Sequence, residues 1–163
     1  MSHKRTEKAP LLEKGIKSKQ TGSFTIHQPV ENVFPLFSAE GEKLWIPGWH
    51  YVNPLGGIEM YEGYFFILPA HGHLKNNTVF IVKTYDKEEH LLELYRIDHD
   101  EKILLYYIKC DSLSETSTKV TLSVDYTAIS ESGAEFVNRY DEAHHVKFTS
   151  SWEKMLNEYF SKQ

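Results

Sequence analysis

Residues 118–136 read TKVTLSVDYTAISESGAEF, and the change of period inside this stretch decides the fold class. Val120, Leu122, Val124, Tyr126 and Ala128 alternate with Lys119, Thr121, Ser123, Asp125 and Thr127. One apolar and one polar face at period two describe a half-buried antiparallel strand. Ser132-Gly133-Ala134-Glu135 follows with the spacing of a capping box. There the Ser132 side chain would accept from the Glu135 N–H, and the Glu135 side chain would reach back to the Ser132 N–H. A long helix to about residue 161 is expected next. At about 100° per residue, Phe136, Val137, Tyr140, His144, Phe148, Trp152, Met155 and Tyr159 share one broad side, with His145 near its edge. The stripe drifts along the helix, as it does where a helix grips a curved, twisted sheet or where it kinks.

Upstream, YEGYFFIL, NTVFIVKTY, HLLELYRI and KILLYYIKC are short runs of β-branched and aromatic residues. NPLGG, HGHLKNN, DKEEH and DHDE separate them as turns. Nearer the start, QTGSFTIHQ alternates at Phe24 and Ile26 and reads as a first strand beginning near Gln20. Pro29 suits a helix start, and Val30, Val33, Phe34 and Phe37 give that helix an apolar face. Pro35 must kink or stop it. A second short helix is expected over AEGEKLW. The order predicts an α+β fold: a first strand, two short helices, more antiparallel strands, then one long helix on a curved sheet. Such a pair of layers leaves room for an apolar ligand between them.

The chain of 163 residues suits one domain. Residues 1–19 hold six basic and two acidic groups, although the overall net charge is −5. We read 1–19 as a flexible basic arm and 20–163 as the folded domain. The acidic body argues against a nucleic-acid surface. No apolar run is long enough for a membrane span. The single cysteine, Cys110, fits a reducing, cytoplasmic setting. Without a base beside it, Cys110 reads as a small buried hydrophobe. No phosphate-cradling or dinucleotide-binding motif is present, and no cofactor is expected.

Candidate site residues come from several places. LWIPGWHYV, residues 44–52, puts Trp45 and Trp49 around a Pro47-Gly48 corner, where they either brace the turn or form a pocket wall. His50 beside them offers a polar tip or an acid/base group. His71 and His73 invite a metal, but two histidines on a loop fall short of the three or four ligands zinc needs, so no metal site is expected. His144 is the candidate base on the long helix. Phe80 and Val82 share a face opposite Lys83, and Leu104, Tyr106, Ile108 and Cys110 share one opposite Lys109 and Asp111. Tyr106, Tyr126 and Tyr140 would then converge on the gap. Arg96 shares a face with Leu92 and Leu94; it is either exposed at a strand end or buried with an acidic partner.

The succession VFPLFSAEGEKLWIPGW, TVFIVKTYD, TKVTLSVDYTAISESG and a long C-terminal helix resembles the START-like, or SRPBCC, superfamily, which includes polyketide cyclase/dehydrase-like and pollen-allergen-like proteins. The Glu40-Gly41-Glu42, Trp45, Pro47-Gly48-Trp49 piece is similar to a poorly characterised bacterial branch. The resemblance implies a helix-grip fold with a cavity between sheet and helix. It implies binding of a small hydrophobic or amphipathic molecule, a lipid, polyketide or aromatic compound. The lining expected is Trp45, Trp49, His50, Phe80, Arg96, Tyr106, Tyr126, Tyr140, His144, Phe148 and Trp152. A cyclase/dehydrase-type enzyme with His50 or His144 as acid/base is the second reading, and a protein-interaction module the third. Monomer and dimer are both open.

Overall fold

The structure, a computed structural model, describes residues 10–70 and 75–163. Six antiparallel strands form one sheet in the order β1-β6-β5-β4-β3-β2. They are β1 (Leu11–Ile26), β2 (Phe65–Leu68), β3 (Thr78–Asp86), β4 (Leu91–Asp98), β5 (Lys102–Ser114) and β6 (Ser117–Ser130). The alternation read from residues 118–128 holds: Val120, Leu122, Val124 and Ala128 are fully buried and Tyr126 nearly so. Register carries the same face across the sheet. Leu122 pairs with Ile108 and Ile108 with Leu92. Arg96 pairs with Leu104 on one side and Phe80 on the other, and Phe80 with Phe66. Arg96 therefore stands on the inner face.

β1 begins at Leu11 rather than near Gln20, so residues 11–19 belong to the sheet and not to a flexible arm. Ile16 to Ile26 pair continuously with Ala128 to Thr118, after an irregularity between Leu11 and Ile16. β1 is an edge strand, and an edge strand tolerates Lys14, Lys17 and Lys19, whose charges discourage pairing with another chain. That solvated composition is what hides the strand in the sequence.

Between β1 and β2 the chain makes α1 (Val30–Val33), a 3₁₀ turn over Phe34–Phe37 and α2 (Ala39–Glu42). The helix changes to the tighter 3₁₀ form where Pro35 enters. Val30, Val33, Phe34, Leu36 and Phe37 are all buried. Ser38 caps α2 by accepting from the Gly41 N–H at 2.9 Å.

The long helix is two helices, α3 (Glu131–Arg139) and α4 (Glu142–Ser161). The cap of α3 is Ser130, whose Oγ accepts from Gly133 N, and not the Ser132–Glu135 box. Tyr140 and Asp141 leave helical geometry, and Asp141 caps α4 by accepting from the His144 N–H. A phase counted from Phe136 does not survive that break. The buried side of α4 is His145, Thr149, Trp152 and Leu156, with Phe148, Met155 and Tyr159 partly buried beside it. Phe136 is exposed, and His144 and His145 exchange the roles expected of them. α4 lies against β1, and α3 against β1 and β6.

Candidate functional site

The site begins with the strap that follows α2. Trp45 is buried and its indole N–H donates to the Leu36 carbonyl at 2.7 Å. Its ring stands edge-on to Phe37 and Trp152. The Trp49 indole N–H donates to the Ala39 carbonyl at 2.9 Å, and its ring meets Phe66 and Phe80. Between them the Pro47-Gly48 corner turns through a positive φ of 73° at Gly48, a conformation glycine tolerates. Next, the Tyr51 hydroxyl donates to Glu40 at 2.5 Å, and Lys43 lies 3.1 Å from the same carboxylate. These bonds from Tyr51 and Lys43 hold the Glu40 carboxyl below its usual range.

Under this strap lies a cavity of about 250 Å³. Trp49, Phe66, Phe80, Phe148 and Trp152 supply aromatic wall, and Ile46, Leu68, Leu94 and Ile108 aliphatic wall. Phe66 and Phe80 stack at 4.8 Å with their planes 2° apart, giving a flat slab on the sheet side. The exposed corner Pro47-Gly48 borders the cavity and marks where it reaches the surface. Among the described residues its polar side chains are Glu42, Thr78, Arg96 and Tyr106.

Arg96 reaches the cavity with its charge compensated. Its Nε donates to Asp98 Oδ1 at 2.9 Å, and its Nη1 lies 3.5 Å from the Tyr106 hydroxyl. Lys102 Nζ stands 3.0 Å from Asp98 Oδ2, an ion pair without an aligned hydrogen bond. Burial pushes the Asp98 carboxyl up, but Arg96 and Lys102 more than offset it and hold it below its ordinary value. Thr78 and Arg96 also border a second, more polar crevice of about 450 Å³ on the far side, which takes in Asp98, Lys102, Tyr126 and Arg139. Arg96 is thus inner, paired and shared between the two spaces.

Of the lining residues expected from the sequence, Trp49, Phe80, Arg96, Tyr106, Phe148 and Trp152 border the cavity. Trp45, His50, Tyr126, Tyr140 and His144 do not. Trp45 is consumed in bracing the strap. His50 is exposed outside the corner. Tyr126 meets Tyr140 at 4.6 Å with the rings tilted by 49°, beside the second crevice. His144 is exposed, and its Nδ1 lies 2.7 Å from Asp141 at the start of α4. The buried histidine is His145. Its Nε2 lies 3.0 Å from the Leu122 carbonyl and its Nδ1 2.7 Å from the Tyr140 hydroxyl. A carbonyl can only accept, so Nε2 carries the proton, and in that tautomer Nδ1 accepts from the Tyr140 hydroxyl. Burial above all pushes the Tyr140 hydroxyl up to about 12. Cys110 is fully buried, and burial pushes its thiol up to about 12, which leaves it unreactive. His71 and His73 lie outside the described residues.

Glu42 is the functional candidate that sequence reasoning missed. It lies in the AEGEKLW helix among charged neighbours and reads as a solvated position. In the fold it is 7% exposed and borders the cavity. Among the described residues nothing bonds its carboxyl. Desolvation alone raises it well above the ordinary carboxylate range. The available signal was its spacing: three residues before Trp45 and three after Ala39, on the buried side of a short helix.

No family model matches the chain, and no curated protein matches its sequence. Solved structures do resemble it. Norcoclaurine synthase from Thalictrum flavum, in complex with dopamine and hydroxybenzaldehyde, is 13% identical over 91% of this chain and 87% of its own, with a TM-score of 0.59. The major latex-like protein 151 of Panax ginseng is 17% identical over 87% of this chain and 96% of its own, with a TM-score of 0.61. The protein Ara h 8.0201 is 11% identical over 88% and 95%, with a TM-score of 0.63. At these identities the likeness shows the fold alone, the helix-grip architecture of a curved antiparallel sheet with a C-terminal helix.

Proposed function

We propose that the protein binds a small, largely apolar ring compound in the cavity between the sheet, the strap and α4. One observation carries this reading: a space of about 250 Å³ walled mainly by aromatic and aliphatic side chains and furnished with four polar ones. Ligand sites have this composition, with apolar wall for affinity and a few polar groups for orientation. The volume lies just under the usual ~300–1,000 Å³ of such sites, which favours a compact ring system over a long-chain lipid. The flat Phe66–Phe80 slab favours an aromatic face. The norcoclaurine synthase of the same fold was solved with dopamine and hydroxybenzaldehyde, both single-ring molecules.

Binding is preferred to catalysis by cyclase/dehydrase chemistry because neither His50 nor His144 reaches the cavity. Native mass spectrometry of protein purified from its own host tests the proposal. A retained small molecule, lost on Trp49→Ala together with Phe80→Ala, is the expected result. Protein that carries nothing and takes up no aromatic compound from a screened set ends the proposal.

A further inference from the structure

Glu42 is costly where it stands. A buried carboxyl with no protein partner keeps little of its hydration, at a cost approaching about 1–3 kcal/mol for a neutral group and more for a charged one. Its neighbours spend their bonding elsewhere. Glu40 and Lys43 hold each other and Tyr51. Arg96 of β4 and Tyr106 of β5 are the titratable groups that the sheet presents to the same space, and Arg96 is engaged with Asp98. α4 contributes only Phe148 and Trp152 to the lining. Among the described residues, therefore, nothing claims either oxygen of the carboxyl where Glu42 borders the cavity.

We propose that Glu42 is the polar anchor of this cavity, donating its carboxyl O–H to an uncharged oxygen, a carbonyl above all, on an otherwise apolar ring-sized ligand. The inference rests on the cavity being a ligand site and names the group the ligand must carry. Three chemistries compete for a lone carboxyl: a neutral acceptor, an anion and an amine. An anion would need a free cation to face, and the Arg96 guanidinium of this cavity is already engaged by Asp98. An ammonium group would share the cavity with the Arg96 guanidinium, a second cation in the same small space. A neutral carbonyl meets neither objection, and it satisfies the O–H at the usual length of a hydrogen bond.

Three probes of one shape test this by calorimetry at pH 7: 2-acetylnaphthalene, 2-isopropylnaphthalene and 1-(naphthalen-2-yl)ethylamine. Wild type is compared with Glu42→Gln and Glu42→Met. The ratio of acetyl to isopropyl affinity is expected to fall about tenfold in Glu42→Met, the measure of one hydrogen bond of ~1.4 kcal/mol, and to survive in Glu42→Gln. In wild type the ratio falls as pH is raised and Glu42 ionises, whereas in Glu42→Gln it does not. An unchanged ratio in Glu42→Met overturns the anchor while the cavity reading stands, since the hydrocarbon still binds. A selective loss of the amine in Glu42→Gln overturns it too, because Glu42 would then serve as a carboxylate. Binding of none of the three sinks the cavity reading and the anchor with it. Infrared spectroscopy needs no ligand: a carboxylic-acid carbonyl band at neutral pH, absent from Glu42→Gln, is expected. An ionised Glu42 in that spectrum refutes the proposal.

Discussion

Trp45 and Trp49 hang from the same strap, their indole N–H groups on the Leu36 and Ala39 carbonyls, yet only Trp49 borders the cavity. One tryptophan braces and the other serves both as brace and as wall. Trp45→Phe should cost about 1–3 kcal/mol, because the ring volume shrinks and the Leu36 carbonyl is left without its donor in a buried setting. Trp49→Phe, at a half-buried site, should cost less and weaken aromatic binding more. Urea denaturation beside calorimetry separates the two, and equal stability losses would contradict the division of labour.

The break between α3 and α4 is held by a bond across it. The Tyr140 hydroxyl donates to His145, which in turn donates to Leu122 of β6. Tyr140→Phe removes the donor and strands a buried imidazole nitrogen, at a cost of about 1–3 kcal/mol. His144→Ala, by contrast, removes an exposed ring and should leave the denaturation midpoint nearly unchanged. A Tyr140→Phe protein as stable as wild type would mean that His145 finds another partner.

Asp98 offsets two cations at the boundary of the cavity. Asp98→Asn leaves Arg96 without its carboxylate and Lys102 with only the more exposed Glu101, 3.4 Å away. Breaking a fully buried pair costs roughly 3–5 kcal/mol, and because the Arg96 side chain is still 25% exposed we expect about 2–3. Raising salt should restore part of the loss through screening. Stability indifferent to both the substitution and salt would show the cluster to be dispensable.

Glu42 and Asp98 pull stability in opposite directions with pH. The Glu42 carboxyl is raised in the fold, so the folded state holds a proton that the unfolded chain releases. Stability is then full below the unfolded value and declines as pH rises through the folded one. Asp98 is lowered, so its contribution is present above the unfolded value and is lost as pH falls. Glu42→Gln should therefore be more stable than wild type at pH 8, with the gap narrowing toward pH 4. A gap that stays constant from pH 4 to pH 8 would show that Glu42 titrates normally.

Residues whose surroundings are local were legible in the sequence. The β6 alternation, the Pro35 break and the inward faces of Phe80 and Tyr106 all follow from period and from neighbouring charge, and the fold places them so. Reading failed where a partner distant in sequence sets the outcome. β1 extends back to Leu11 because β6 is there to pair with it, not because its own lysine-rich stretch favours a strand. His145 is buried instead of His144 because Asp141 restarts the helix and resets its phase.

The chain's pattern of apolar spacing was enough to settle the architecture, a curved antiparallel sheet gripped by C-terminal helix, since periodicity reports directly which faces must leave water. Which side chains border the hollow was decided only in three dimensions. Glu42 lies on a charged four-residue helix, yet it is buried at the wall of a cavity whose other walls come from the sheet and α4. Desolvation depends on every atom around a group and so has no signature in the residues beside it along the chain.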